Sequence, residues 1–369
     1  MQIGVDVSRI AMEARTGTEQ YTWELLTALG QVDVHNHYQL YCNRIPSALP
    51  PLPSNYALRP IPLPRAWTHV RLSLEMLSEP PDVLFVPAHT LPLISPHRSV
   101  VTIHDLGFLH HPEAHTRIQR IYYRLFTRFS AERATQIIAI SEATKGDLQQ
   151  FYGTASDKIN VIYHGVNERF RPLDAEIVDC VTRRYRIKTP YLLFVSTIQP
   201  RKNVVRLIEA FAAARRRIGA EGAPTLVLAG KRGWLTTQIE RRAAELGIGE
   251  QVQFVGYVAD QDLPALLNGA LAYVVPSLYE GFGMTVLEAQ ACGTPVLASN
   301  VSSLPEVVGS AGLLVAPYDV GAIADAITEL VLDKQLRNDL RERGLRHAAD
   351  WTWERTARQT LDVLHQATT

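Results

Sequence analysis

Residues 270–299 read ALAYVVPSLYEGFGMTVLEAQACGTPVLAS. A valine-rich apolar run ends at Pro276, a turn carries Gly281 and Gly283, and a helical stretch follows from Met284. Gly293 is placed to end that helix and Pro295 to stop its continuation, after which PVLAS opens a second strand. Strand, turn, helix, strand is one crossover unit of a parallel sheet. The same alternation runs along the rest of the chain. IGVDV, YQLYC, DVLFV, VVTIHD, QIIAIS and NVIYHG in the first half, and YLLFVS, TLVLAG, VQFVGY, LAYVVPS, PVLAS and GLLVA in the second, read as strands. Glu19 to Leu29, Val204 to Arg217 and Ile323 to Leu332 carry apolar residues at helical spacing between them.

With 369 residues, 46% of them hydrophobic, the chain can bury two ordinary cores. RFRPLDAEIVDCVTRRYRIKTP, residues 169–190, breaks the strand–helix rhythm with prolines and charges. The expected division is therefore an acceptor-binding Rossmann-like domain over 1–172, a nucleotide-sugar-binding one over 173–350, and a C-terminal helix in 351–369 packing back on the first domain. Open parallel sheets bind ligands at the carboxyl ends of their strands, so the expected site is a cleft between the two sheets.

Lys+Arg and Asp+Glu are equal at 37 each. That balance argues against a nucleic-acid binder, whose footprint is basic. Cys42, Cys180 and Cys292 are odd in number and far apart, which suits a reducing cytosol rather than a disulfide framework or a zinc site. MQIGVDVSRI lacks the basic start and apolar core of a signal peptide, and no apolar run approaches the ~20 residues that cross a bilayer. The sequence thus predicts a cytoplasmic protein.

The turn in 279–293 sets Glu280 before the glycines and Glu288 a turn into the helix. Amides at Gly283, Met284 and Thr285 at a helix start would suit a phosphate. The G-x-G pattern lacks the third glycine of a dinucleotide fingerprint and the P-loop pattern is absent, so spacing alone leaves a plain tight turn equally open. Glu288 points its side chain back along the helix, and the two acids would meet different parts of one ligand. VSTIQPRKNVVRLIEAF sets Arg201 and Lys202 at a second strand-to-helix turn, where two cations suit a diphosphate, although an exposed charged loop reads the same way.

Together these elements resemble glycosyltransferase family 4, retaining enzymes with two Rossmann-like domains in the GT-B arrangement. The family's E-x7-E signature matches Glu280 to Glu288, and PRKNVVRLIEAF resembles its basic loop and following helix. VTIHDLGFLHHPE, AISEATKGDL, VIYHGVNERFRP and VQFVGYVADQDLPALL extend the similarity over nearly the whole chain. The resemblance implies that Arg201 and Lys202 hold the donor diphosphate, helped by the amides after Gly281 through Phe282 and Gly283. It gives Glu280 to hydroxyls of the transferred sugar, Glu288 to the donor ribose, and Gly256, Tyr257 and Val258 to the nucleobase. His104, followed by Asp105, matches a position near the anomeric centre that hydrogen-bonds the sugar or the reacting oxygens. Thr197 stands where many relatives carry arginine, and Arg201 where many carry an acid, which moves a guanidinium by four residues. The N-terminal loop has only Gly17, next to Thr18, where many have a Gly-Gly turn.

The resemblance further implies a hexosyltransferase that uses a nucleotide sugar, needs no metal or cofactor, and acts on a hydroxyl acceptor, lipid-linked or in a polysaccharide. Departure of a nucleoside diphosphate needs charge stabilisation above all, and a front-face route in which that diphosphate helps accept the proton is the usual proposal. The PRKN loop looks most like mannosyltransferases, giving GDP-mannose ahead of UDP- or ADP-sugars. A GT-B sugar-nucleotide epimerase and a non-catalytic sugar-nucleotide-binding subunit are the alternatives; an NAD-dependent dehydrogenase fits less well.

HDLGFLHHPEAH gathers His104, His110, His111 and His115, but Pro112 forbids a continuous helix through the i, i+4 pair and a metal site is not expected. Arg117, Arg120, Arg124 and Arg128 form a helical stripe with Ile118, Ile121, Tyr122, Leu125 and Phe129 on the other side. An ordinary amphipathic helix with a solvated basic face explains it, and contact with an anionic membrane surface or a phosphate-linked lipid is the sharper reading. Lys231 reads as a surface-loop lysine and Trp234 as core rather than a sugar platform.

Overall fold

The computed structural model describes residues 1–11, 17–219, 221–231 and 236–369, so Trp234 lies outside the described residues. The first sheet contains β1 (Gln2–Asp6), β2 (His37–Cys42), β3 (Tyr56–Pro60), β4 (Val83–Val86), β5 (Ser99–Ile103), β6 (Gln136–Ala139) and β7 (Ile159–Val161). They lie in the order β3-β2-β1-β4-β5-β6-β7, all parallel. The second contains β8 (Tyr191–Val195), β9 (Thr225–Ala229), β10 (Val252–Gly256), β11 (Ala272–Val275), β12 (Val296–Ser299) and β13 (Leu313–Val315), in the parallel order β10-β9-β8-β11-β12-β13. Every residue of β4, β5 and β11 is buried, which is why they read as continuous apolar runs rather than alternating ones. β3 escaped the sequence reading because it is a half-exposed edge strand among prolines, a place where Pro60 costs no ladder bond.

Strand order reverses between β1 and β4 in one sheet and between β8 and β11 in the other. Loops leaving the carboxyl ends of those neighbours diverge to opposite faces and open a crevice at each reversal.

The helices are α1 (Gly17–Val32), α2 (Arg71–Ser78), α3 (Gly107–His110), α4 (Arg117–Arg133), α5 (Glu142–Tyr152), α6 (Ala175–Arg184) and α7 (Val204–Ile218), then α8 (Thr236–Glu245), α9 (Leu263–Gly269), α10 (Met284–Ala291), α11 (Leu304–Val308), α12 (Val320–Leu332), α13 (Lys334–Ala349) and α14 (Trp353–Gln366). The chain forms two compact units, Met1–Gly165 with Thr352–Thr369, and Val166–Trp351. In the second unit α7 packs on α12, with Leu207, Ile208 and Phe211 meeting Ile323, Ile327 and Leu330 in one buried cluster. Each such side chain contributes about 1.5–3 kcal/mol on burial, which fixes the helix whose first turn follows Arg201 and Lys202.

In the first unit α14 packs on α1. Thr356 Oγ1 donates to the Tyr163 carbonyl at 2.8 Å, and Trp353 stacks on His164 with ring centroids 5.7 Å apart. Gly165 permits this approach, since a Cβ there would lie 2.1 Å from the Trp353 nitrogen and 2.4 Å from the Thr352 carbonyl carbon. Backbone on both sides cannot yield cheaply, so Gly165→Ala should destabilise the first unit by about 3 kcal/mol. Calorimetry would check it through an earlier unfolding transition, and an unmoved transition would refute it.

One helix departs from expectation. α4 starts with a capping box at Thr116 and Gln119, yet the residues it buries are Thr127, Ser130 and Ala131. Ile118, Ile121, Tyr122 and Leu125 are exposed, as are Arg117, Arg120 and Arg124. Periodicity separated the two faces correctly but did not say that the first turns stand clear of the core.

Candidate active site

In the second unit, the loop after β8 and the loop after β11 meet at the strand-order reversal, and they bring together residues nearly eighty positions apart. Pro200–Lys202 forms a single 3-10 turn, and Asn203 follows in the left-handed region at φ 60°, a conformation asparagine tolerates. Its side-chain amide donates to the carbonyls of Pro276 (2.9 Å) and Pro317 (2.6 Å), and Leu278 N–H donates to the Arg201 carbonyl at 2.7 Å. The two loops are thus stitched before their charges are considered.

Lys202 Nζ donates to Glu280 Oε1 at 2.5 Å, and Arg201 Nη1 donates to Glu280 Oε2 at 3.1 Å and to the Tyr279 carbonyl at 3.0 Å. Ser277 Oγ donates to Glu280 Oε1 at 2.6 Å. Burial pushes the Glu280 carboxyl up, but the charges of Lys202 and Arg201 with the Lys202 and Ser277 hydrogen bonds prevail and hold it at about 2. The backbone is pinned as well. Ser302 Oγ accepts from the Glu280 amide at 3.3 Å, and the hydroxyls of Ser302 and Ser303 both donate to the Glu280 carbonyl. Glu280 is a preset carboxylate, and its cluster with two cations carries a net positive charge.

α10 begins immediately after. Its N-cap, Gly283, has φ 102° and ψ 48°, a conformation that glycine adopts freely, and no side chain caps the helix start. The first amides at Met284 and Thr285 keep the free polarity of a helix N-terminus. The Phe282 ring is buried, 5.8 Å from the Trp351 ring, so Phe282 offers backbone rather than side chain here. Glu288 is half-buried one turn on. Tyr273, buried in β11, has its hydroxyl pushed up by burial and then by Glu280 and Glu288, with Thr285 hydrogen-bonded to it. Both glutamates thus act electrostatically on this one buried tyrosine.

Thr197 is exposed in the loop after β8. The Gly256 carbonyl accepts from Gly230 N–H at 2.7 Å, Val258 is buried, and Tyr257 is exposed, with its hydroxyl donating to Asp260 at 3.2 Å. Lys231 Nζ lies 5.8 Å from the Tyr257 ring centroid, and its carbonyl accepts from Ile198 N–H at 3.3 Å. Lys231 is exposed in the loop after β9, a surface-loop lysine as the sequence suggests, and it lies beside the loops of Thr197 and Tyr257.

In the first unit, His104 is buried beyond β5, and its Nε2–H donates to the Pro87 carbonyl at 2.9 Å. Burial, then the neighbouring His89, depress it to about 3, so it is a neutral imidazole with Nδ1 left as an acceptor. Tyr21 meets its ring edge-on at 4.8 Å, and the His164 ring lies at 6.1 Å. Asp105 Oδ1 accepts from Gly107 N–H at 2.9 Å and so organises the turn into α3. Gly17 and Thr18 open α1, where Thr18 O accepts from Thr22 Oγ1 at 3.0 Å. His110 pairs with Asp147 at 2.8 Å and His111 with Glu113 at 3.1 Å.

Sequence reasoning found Arg201, Lys202 and Glu280 but not Ser277, Ser302, Ser303, Asn203 or Tyr273. Only Asn203, an asparagine next to a basic turn and before a helix, gave a local signal.

Comparison with known proteins agrees with this architecture. The model of Glycosyltransferase Family 4 matches residues 15–170, and that of Glycosyl transferases group 1 matches 183–347. O-antigen chain mannosyltransferase B of Escherichia coli is 33% identical over 270 residues, covering 72% of this chain and 70% of that protein. Among solved structures, sucrose-phosphate synthase from Thermosynechococcus elongatus superimposes with a TM-score of 0.79 at 22% identity, covering 99% of this chain and 98% of the other. The Anabaena protein HepE, solved with UDP and glucose, gives 0.76 at 17% identity, covering 99% and 100%. The two parallel-sheet units make this a GT-B fold. The chain belongs to glycosyltransferase family 4 and is a glycosyltransferase.

Proposed function

We propose that this glycosyltransferase moves mannose from GDP-mannose to a hydroxyl of a growing, lipid-linked glycan at the cytoplasmic face of a membrane, with retention at the anomeric carbon. The observation that carries the reading is the net-positive cluster of Arg201, Lys202 and Glu280 beside the uncapped start of α10. A departing diphosphate needs fixed positive charge, and here two cations and a helix start supply it without a metal. Glu280, ionised and aimed, takes hydroxyls of the sugar, and Glu288 takes the ribose. Gly256, Tyr257 and Val258 meet the base, and Thr197, Gly17 and Thr18 border the donor. His104, neutral, accepts from a sugar hydroxyl through Nδ1, with Asp105 setting its loop. The mannose assignment is supported by the similarity to the Escherichia coli mannosyltransferase; the Anabaena structure, which holds UDP and glucose, makes UDP-sugars the arm to test against.

A thermal-shift panel of GDP-, UDP- and ADP-sugars tests this. GDP-mannose at 100 times its Kd should add about 2.7 kcal/mol of stability, and nuclear magnetic resonance should show the α-anomer retained in the product. No shift from any donor sinks the site assignment, whereas a UDP- or ADP-sugar preference replaces only the donor. Sugar-nucleotide conversion without acceptor would instead favour an epimerase.

A further inference from the structure

We propose that the N-terminal half of α4 is a docking surface for an anionic phospholipid bilayer. Ile118, Ile121 and Leu125 are 82%, 61% and 59% exposed and share one face at i, i+3 and i+7. Arg117, Arg120 and Arg124 form a parallel row about a quarter turn away, and among the described residues they make no ion pair. Arg128, the next in the row, is committed to Glu132 at 2.8 Å, and Glu113, the carboxylate that Arg120 influences, is committed to His111. Ile118, Ile121 and Tyr122 are exposed together with Arg117 and Arg120, so this end of the helix presents both rows at once. A groove of about 440 Å³ between α3 and α4 is lined by Phe108 and Leu109 together with Ile121 and the same three arginines.

The occupant follows from the juxtaposition. An apolar row flanked by arginines matches a helix lying in the headgroup–acyl boundary, apolar side chains down and guanidinium groups level with phosphates. A second copy of this chain would fit poorly, because a two-fold contact through the patch sets arginine against arginine. The proposal extends the lipid-linked reading of the acceptor. Its test reads lipid binding alone, so each can fail without the other.

The experiment is co-sedimentation of the full chain with vesicles of phosphatidylcholine, with and without phosphatidylglycerol, at low salt. Binding should require phosphatidylglycerol. Replacing Arg117, Arg120 and Arg124 by Gln should lower the partition coefficient on the order of 100-fold. Ile118→Ser, Ile121→Ser and Leu125→Ser together should leave an attachment that moderate salt abolishes. Replacing Arg215, Arg216 and Arg217 on α7 by Gln, the same charge change in the other unit, should leave the partition unchanged. Circular dichroism confirms that these surface variants fold. Failure of the wild type to sediment, equal binding to neutral vesicles, or equal loss in the α7 variant overturns the proposal. So does a concentration-dependent dimer lost in the serine variant without lipid binding.

Discussion

Glu280→Ala should lower kcat for sugar transfer by about 10²–10³-fold while leaving the Kd for the free nucleoside diphosphate unchanged or tighter. The carboxylate lies at the centre of a charge cluster, accepting from Lys202, Arg201 and Ser277. Deleting it raises the net charge there from +1 to +2, counted from the two cations and one carboxylate. The diphosphate therefore meets no less attraction. The sugar loses an ionised acceptor whose position was fixed on both side chain and backbone, and that loss is felt in the reaction. Breaking a buried pair also costs about 3–5 kcal/mol, so the variant's second unit should melt early and recover when diphosphate neutralises the freed cations. Glu280→Gln keeps the shape and separates hydrogen bonding from charge. Steady-state kinetics with calorimetric titration decide the matter: equal losses of kcat and diphosphate affinity would contradict the division of labour between Glu280 and the basic turn.

The crossover units were legible because buried parallel strands leave continuous apolar runs and their helices leave period-3.6 patterns. Gly283 was legible for a related reason: its left-handed backbone restricts the residue type locally. The pairing of Lys202 with Glu280 was not. It spans 78 residues and depends on strand order, which no local spacing records. Ser302 and Ser303 were invisible in the same way, since their hydroxyls matter only because β12 ends beside the Glu280 loop. On α4 the failure was different in kind. A helical wheel shows that two faces differ, but which one meets the core depends on what else is there to cover it. The unburied isoleucines are therefore information that only the fold could supply.

The first unit should lose stability as the pH falls below about 6.5, before the second loses the contribution of Glu280. His104 and His164 are both buried and held neutral, His104 at about 3 and His164 well below the ordinary imidazole range. Burial is the main cause for each, with His89 acting on His104 and His104 on His164; Asp105 opposes for His104 and Arg9 reinforces. In the unfolded chain both take up protons near 6.5. Their contribution is thus complete above that pH and declines as the unfolded state binds protons the native state refuses. At pH 5 His104 should have cost about 2 kcal/mol, with His164 adding in the same direction, a sizeable part of an ordinary stability margin. Glu280 works in a lower window, since its stabilisation is full above the ordinary carboxylate value near 4.5 and is lost as pH falls towards about 2. Hydrogen exchange by mass spectrometry at pH 7 and pH 5, with rates corrected for intrinsic chemistry, should show β1, β5 and α14 opening sooner while β8 and β11 hold. His164→Phe keeps the aromatic contacts with Tyr21 and Trp353 and removes one of the two protons. Its urea stability should fall less steeply between pH 7 and pH 5 by about one proton, and an unchanged slope would show that these buried imidazoles are not what acid attacks.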